Sequence, residues 1–188
     1  MTAIADIHAR EILDSRGNPT VEVEVTLDSG VVGRAAVPSG ASTGAHEAIE
    51  RRDGGTRFGG RGVLQAVEAV NGEIFDALSG FDASGQLVLD RVLIELDGTP
   101  QKRRLGGNAL VAVSMAALHA AAAAAGRPLW AYLLGDAAAV LPLPEIQIFG
   151  GGAHAGRRVD IQDFLVVCPA AESFAQALDW TAEVYRAQ

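Results

Sequence analysis

Alternating apolar and polar residues in one short segment constrain the fold of this chain more than any other feature of its sequence. From Val21 to Leu27 the odd positions are Val or Leu and the even positions are Glu or Thr. Successive side chains of a strand point to opposite faces, so the pattern predicts a half-buried strand with one wet face. Turn residues at 28–30 and further apolar runs at 31–37 and 4–13 predict an antiparallel three-stranded meander.

After the strands, the apolar residues recur at steps of three and four, which is typical of amphipathic helices. Helices are predicted over Val63–Leu78, over Gln86–Leu96, and from the cap-competent Asn108 to a stop at Gly126 and Pro128. Strands first and helices afterwards predict an α+β domain. We assign residues 1–138 to this domain.

The segment Leu141–Pro144 contains two prolines, each of which fixes its own φ and disfavours helix at the preceding residue. It predicts a stiff extended connection at the start of a second unit, residues 139–188. In this unit, apolar runs at 146–149 and 161–167 flank a glycine-rich loop. Ser173 and Gln176 predict a capping box for a last helix that continues through Tyr185.

Charge and composition limit the partners and the compartment. The net charge is −8 over 188 residues and no basic stripe is present, so neither a nucleic acid nor an anionic membrane is expected as a partner. The run Ala120–Ala125 is too short and too weakly hydrophobic to span a bilayer. The single cysteine, Cys168, excludes an internal disulfide, and the first residues lack the features of a signal peptide. A cytoplasmic protein is therefore expected.

Two strings of residues in order resemble the enolase family. The first is DSRGNPTVE at residues 14–22 and the second is VPSGASTG at residues 37–44. Further matches extend the resemblance over essentially the whole chain: Gly62-Val63, Ala66-Val67, Asn71, Leu96-Asp97-Gly98-Thr99, Leu105-Gly106, Asn108-Ala109, Gly151-Gly152 and His154-Ala155.

The resemblance implies both an architecture and an activity. It implies the small amino-terminal α+β domain of enolases, followed by the first elements of an incomplete α/β barrel. It implies reversible dehydration of 2-phosphoglycerate to phosphoenolpyruvate in glycolysis, with Mg²⁺ as cofactor. Enolases are commonly homodimers, and Arg16 and Glu22 match family interface residues, so a homodimer is expected of the complete protein.

The resemblance also assigns roles to four residues. Ser42, in the mobile loop Ser39–Gly44, matches the serine that ligates the second magnesium ion. His154 matches a histidine of a second closing loop near the phosphorylated substrate, and Gln162 matches a substrate-binding glutamine. Asp163 matches a catalytic glutamate that organises the acid–base groups. Without the resemblance, the first loop is typical of a glycine-rich hairpin turn, and a lone histidine is typical of an ordinary surface or core residue.

The sequence departs from the family pattern around the second loop. Gln147 and Gly150 stand where the family favours asparagine, and Asp163 is shorter than the family's glutamate by one carbon–carbon bond, about 1.5 Å. The segment Gly156–Arg158 is more basic than is usual. Arg157 and Arg158 could approach a phosphate, although adjacent surface arginines are commonly just solvated.

The groups that would perform the main acid and base steps are absent from this chain. Lys102 is its only lysine and lies in the amino-terminal domain, so it does not match the family base. The leading hypothesis is an enolase-family lyase, present here as a fragment that is inactive alone. The alternatives are a non-catalytic enolase-like binding module and a diverged superfamily enzyme for another carboxylate substrate.

Overall fold

A computed structural model describes residues 1–40 and 44–187, with the side chains of 153 and 154 left out. Ser42 therefore lies outside the described residues, as does the side chain of His154. The chain divides into two compact units, Met1–Gly135 and Asp136–Gln188. The predicted domain limits of 1–138 and 139–188 stay a prediction.

The first unit is built on an antiparallel sheet in the order β1-β2-β3, which confirms the predicted meander. Its strands are β1 (Ile4–Leu13), β2 (Pro19–Leu27) and β3 (Val32–Val37). Val21, Val23 and Val25 are fully buried, while the glutamates between them are half-buried. The alternation in the sequence thus places one face of β2 in the core.

Helices cover the buried face of the sheet, so the unit has the predicted α+β class. The helices are α1 (Leu64–Ala69), α2 (Phe75–Leu78), α3 (Gln86–Asp97), α4 (Gly107–Ala124) and α5 (Leu129–Leu134). Helix α4 packs on β2 and β3, and its alanines allow a close approach. At Gly33 the helix lies so close to the strand that an added Cβ would be 2.7 Å from the Cα of Ala120.

Helix α4 corrects the expectation that was based on the alanine run alone. Among the described residues it is one helix of 18 residues with a mean hydropathy of 1.5, which is long and apolar enough to cross a membrane. The apolar residues of α4 begin well before the alanine run, so that run alone underestimates the length and the hydropathy of the helix. A core helix passes the same test, and 56% of this helix is buried inside the protein.

The helix predicted over Val63–Leu78 is interrupted. A π-helical segment, Val70–Ile74, separates α1 from α2. Its residue Asn71 reaches the outer edge of β1, where its Oδ1 accepts from the amide of Ala9 at 2.6 Å and its Nδ2 donates to the Ala9 carbonyl at 3.1 Å. The side chain therefore satisfies a donor and an acceptor that β2 does not reach.

We expect Asn71→Ala to destabilise the first unit by about 1 kcal/mol, since both hydrogen bonds to Ala9 are lost but water can replace them in part. Urea denaturation measures the change, and hydrogen exchange at the Ala9 amide should become faster. Glu68→Ala, an exposed substitution on the neighbouring helix α1, is the control and should change stability by less than about 0.5 kcal/mol. Equal stability of the two variants would contradict the role of Asn71.

Asn108 does not cap α4, so this detail of the prediction is wrong. The helix begins one residue earlier, after Gly106 at φ 100°, and no side chain caps its amino terminus. The Asn108 carboxamide is 7% exposed and pairs with the backbone of Arg51, accepting from its amide at 2.9 Å and donating to its carbonyl at 3.2 Å. The side chain thus anchors the preceding loop instead.

The second unit contains β4 (Glu145–Gly150), a 3₁₀ turn (Gly152–Ala155), β5 (Asp163–Val167) and α6 (Phe174–Ala187). The two strands are antiparallel, whereas the strands of an ordinary α/β barrel are parallel. The predicted strand over 161–167 begins two residues later, because the backbone of 161 and 162 contacts the glycine loop. Ser173 accepts from the Gln176 amide at 3.2 Å, as a capping box requires, but Gln176 reaches back to the amide of Glu172.

Candidate functional site

The first predicted loop leaves the end of β3, and Arg52 holds its amino-terminal root. Arg52 Nη2 donates to Glu50 Oε2 at 2.7 Å and to the hydroxyl of Ser39. Its Nη1 donates to the carbonyls of Pro19 at 2.6 Å and Arg61 at 2.7 Å. One guanidinium therefore joins the loop root, the start of β2 and a neighbouring loop.

A tight turn between β1 and β2 supports the same root. Asp14 Oδ1 accepts from the amides of Arg16 and Asn18, both at 2.8 Å, and Arg16 Nη2 donates to the Ser39 carbonyl at 2.6 Å. The hydrogen bond from the Asn18 amide, with smaller contributions from Arg16, lowers the pKa of Asp14 below its ordinary 3.8. The charged carboxylate of Asp14 accepts both amide hydrogen bonds and so keeps the turn closed.

We expect this turn to open in acid. Because the pKa of Asp14 is lower in the folded state than in the unfolded chain, its stabilising effect is complete above pH 3.8 and is lost as the pH falls through the lowered value. Hydrogen exchange at the amides of Arg16 and Asn18, corrected for the intrinsic pH dependence, should accelerate below pH 3.8. In Asp14→Asn the same amides should show no such acid transition.

A cavity of about 540 Å³ lies beside the loop root. Three arginines and two glutamates contribute to its lining, namely Arg16, Arg52, Arg61, Glu47 and Glu50. Arg52 pairs with Glu50 and Arg16 pairs with Asp14, whereas Arg61 donates only to the neutral Oδ1 of Asn18, at 2.7 Å. The described lining is thus a polar surface that carries charges of both signs.

In the second unit, close backbone contacts shape the glycine loop between β4 and β5. Gly151 donates to the carbonyl of Gln162 at 2.6 Å, and Gly152 donates to the carbonyl of Val159 at 2.7 Å. A Cβ at position 151 would collide with the carbonyl oxygen of Ile161, so only glycine fits there. These contacts bring the 3₁₀ turn that contains His154 next to the start of β5.

Three polar side chains meet where β5 begins. Gln147 Nε2 donates to Asp163 Oδ1 at 2.7 Å, and Gln162 Nε2 lies 3.4 Å from Asp163 Oδ2. Gln162 precedes the strand, so it is free of the strict alternation that would place it on the opposite face from Asp163. Each carboxylate oxygen therefore faces a neutral carboxamide donor, and all three side chains are exposed.

The structure thus places Gln162 and Asp163 side by side, close in the chain to the turn that contains His154. Ser42 belongs to the other unit and lies outside the described residues. Among the side chains that the structure describes, no three of the types His, Cys, Asp and Glu are grouped so that they could hold a metal ion. Arg157 and Arg158 are exposed, and Lys102 donates to the carbonyl of Thr99 at 3.2 Å.

Two residues of the candidate site are not predicted from the sequence. In the sequence, Gln147 is only a departure from the family pattern, and its contact with Asp163 follows from strand pairing that the residues alone do not specify. Arg52 has no signal of its own in the sequence, because an arginine in a charged loop is ordinary. For Gln147, a signal was available in the opposite length changes at positions 147 and 163.

Family models match both units of the chain. A model described as the N-terminal domain of enolase matches residues 4–133. A model described as the C-terminal TIM barrel domain of enolase matches residues 138–188. The first match alone spans more than half of the chain.

Proposed function

The chain belongs to the enolase family, and from this premise we propose that it forms the substrate-closing part of an enzyme that dehydrates 2-phosphoglycerate to phosphoenolpyruvate. The family is one of lyases. In the proposal, activity requires the rest of the barrel, and this chain alone is inactive. The complete protein would act as a cytoplasmic homodimer.

One observation supports the proposal most strongly, namely the meeting of Gln162 and Asp163 beside the glycine turn. Barrel enzymes place their active sites at the carboxyl ends of the strands. Gly150, the last residue of β4, pairs with Asp163, so this polar cluster lies at the carboxyl end of β4. The residues that the resemblance assigns to substrate and acid–base organisation therefore lie where a barrel would use them.

The residues of this chain supply positioning and charge. The Asp163 carboxylate accepts from Gln147 and lies beside the Gln162 carboxamide, which orients it toward an acid or base from a later strand. The Gln162 carboxamide both donates and accepts, which suits a hydroxyl or carboxylate oxygen of the substrate. The turn containing His154 lies close in the chain, where a closing loop would exclude water.

Enolases generally use Mg²⁺, but the described residues do not form a site that fits it. They offer no group of three or more acidic, imidazole or thiol side chains, whereas magnesium demands several oxygen ligands in octahedral geometry. In the proposal, Ser42 contributes one oxygen ligand, and carboxylates of the complete barrel contribute the others.

Reconstitution tests the proposed function. The chain alone, with saturating magnesium and with host enolase removed, should form no phosphoenolpyruvate from 2-phosphoglycerate. Mixing it with an enolase barrel segment that begins after the position matching Gln188 should restore dehydration, measured by the absorbance of phosphoenolpyruvate. Turnover by the chain alone would disprove the predicted inactivity, and a stable complex without turnover would disprove the lyase.

A second candidate function, a non-catalytic binding module, has its own support. The second unit exposes large apolar side chains on its strands and its helix, among them Phe149, Leu165, Val167, Phe174 and Leu178. Exposed apolar surface of this kind marks interaction sites. The stable but inactive complex in the reconstitution experiment is the outcome that would favour this function.

A further inference from the structure

The pairing of β4 with β5 leaves Asp163 without a side chain directly opposite it. Gly150 is the cross-strand partner of Asp163 and has no side chain to offer it. A register irregularity between Gln147 and Phe149 shifts β4 at this point. Gln147 therefore approaches Asp163 from a diagonal position, a distance that a long side chain can cover.

The contact has the geometry of a good hydrogen bond. Gln147 Nε2 lies 2.7 Å from Asp163 Oδ1, which is at the short end of the range for an N–H donor and within the range for a charged acceptor. Asparagine at 147 would be shorter by one carbon–carbon bond, about 1.5 Å, and would leave the carboxylate out of reach. Glutamate at 163 would restore that length from the other strand.

We propose that Gln147 is a positioning residue for Asp163, and that the combined length of the two side chains, long at 147 and short at 163, sets the hydrogen bond between them. Gly150, the cross-strand partner of Asp163, offers no side chain to its carboxylate. Gln147 donates to that carboxylate instead and holds it in place. The consequence for catalysis rests on the proposed function. The hydrogen bond itself does not.

Side-chain NMR on the complete chain labelled at Gln and Asn amides tests the hydrogen bond directly. In the unsubstituted chain, one Nε2–H signal of Gln147 should lie downfield of the solvent-exposed glutamines, and in Asp163→Ala it should return to their position. In Gln147→Asn, the side-chain amide signal of the introduced asparagine should also lie at the exposed position. Adding Asp163→Glu to that variant should move this signal downfield again.

Glu145→Asp is the matched control, because it shortens an exposed side chain of the same strand by one methylene without touching Asp163. It should leave the Gln147 signal unchanged. A Gln147 signal that does not respond to Asp163→Ala, or a double variant whose signal stays at the exposed position, would overturn the proposal.

Turnover of the reconstituted enzyme provides a second and separate measurement. Gln147→Asn should lower kcat roughly 10-fold through misplacement of the carboxylate, and adding Asp163→Glu should restore it. If the unsubstituted enzyme has no turnover, the proposed function fails while the NMR result still decides the hydrogen bond. If the NMR signature is present and Gln147→Asn keeps full turnover, the positioning role is wrong while the lyase stands.

Discussion

Gly33→Ala should destabilise the first unit by about 3 kcal/mol, because β3 and α4 cannot approach as closely when position 33 has a side chain. The added Cβ would overlap the amide nitrogen of Ala120 and the carbonyl oxygen of Ala116, which are backbone atoms that no rotamer change can move. The strand and the helix would have to separate. Hydrogen exchange at the buried amides of β2 reports the global opening of this unit and should accelerate by about 100-fold.

Gly72→Ala is the control for this substitution. A Cβ at position 72 meets nothing within 4 Å, and Gly72 has no positive φ. Alanine is also the better helix former, so this variant should be as stable as the parent chain or more stable. If Gly33→Ala and Gly72→Ala behaved alike, the close contact of β3 with α4 would not be the structural constraint that we describe.

His154→Ala should lower the turnover of the reconstituted enzyme on the order of 100-fold at every magnesium concentration, because positioning and water exclusion are lost even when both metal sites are filled. Ser42→Ala should behave differently. If Ser42 ligates the second magnesium ion, its loss should reduce activity most at low magnesium, and added metal should restore much of it by mass action. A magnesium titration of both variants separates the two loops.

His46→Ala and Ser29→Ala control for the loss of a histidine next to the first loop and of a serine in an exposed turn. Both should keep the parent turnover across the titration. Parent rates in His154→Ala and Ser42→Ala would mean that the two motifs persist here only as turns. The transfer of their roles from the family would then be wrong.

Much of the fold follows from local patterns in the sequence. The alternation around Val23 predicted β2 because burial of one face leaves little choice of register. The second strand of the barrel unit was less well predicted, since Ile161 and Gln162 have the composition of a strand but give their backbone contacts to the glycine loop. Tertiary contacts therefore determine at which residue such a strand begins.

The candidate site was predictable only in part. The family resemblance predicted Gln162 and Asp163 as site residues by their position after the second loop, and their neighbourhood in the structure follows from adjacency in the chain. The contact between Gln147 and Asp163 depends on the antiparallel pairing and on an irregularity within it, neither of which has a local signal. For Asn108 a local signal was present but predicted the wrong role, because a residue type that is suited to helix capping anchors a loop here.

The carboxamide of Asn71 has a consequence for how this protein meets copies of itself. β1 is an outer strand of the sheet, and outer strands offer unpaired backbone groups on which another strand can add. At Ala9 these groups are occupied by Asn71, and at Ile4 the amide donates to Phe81 while the carbonyl accepts from Gly80. The border of the sheet is thus closed at two points along its length, which discourages edge-to-edge polymerisation through β1.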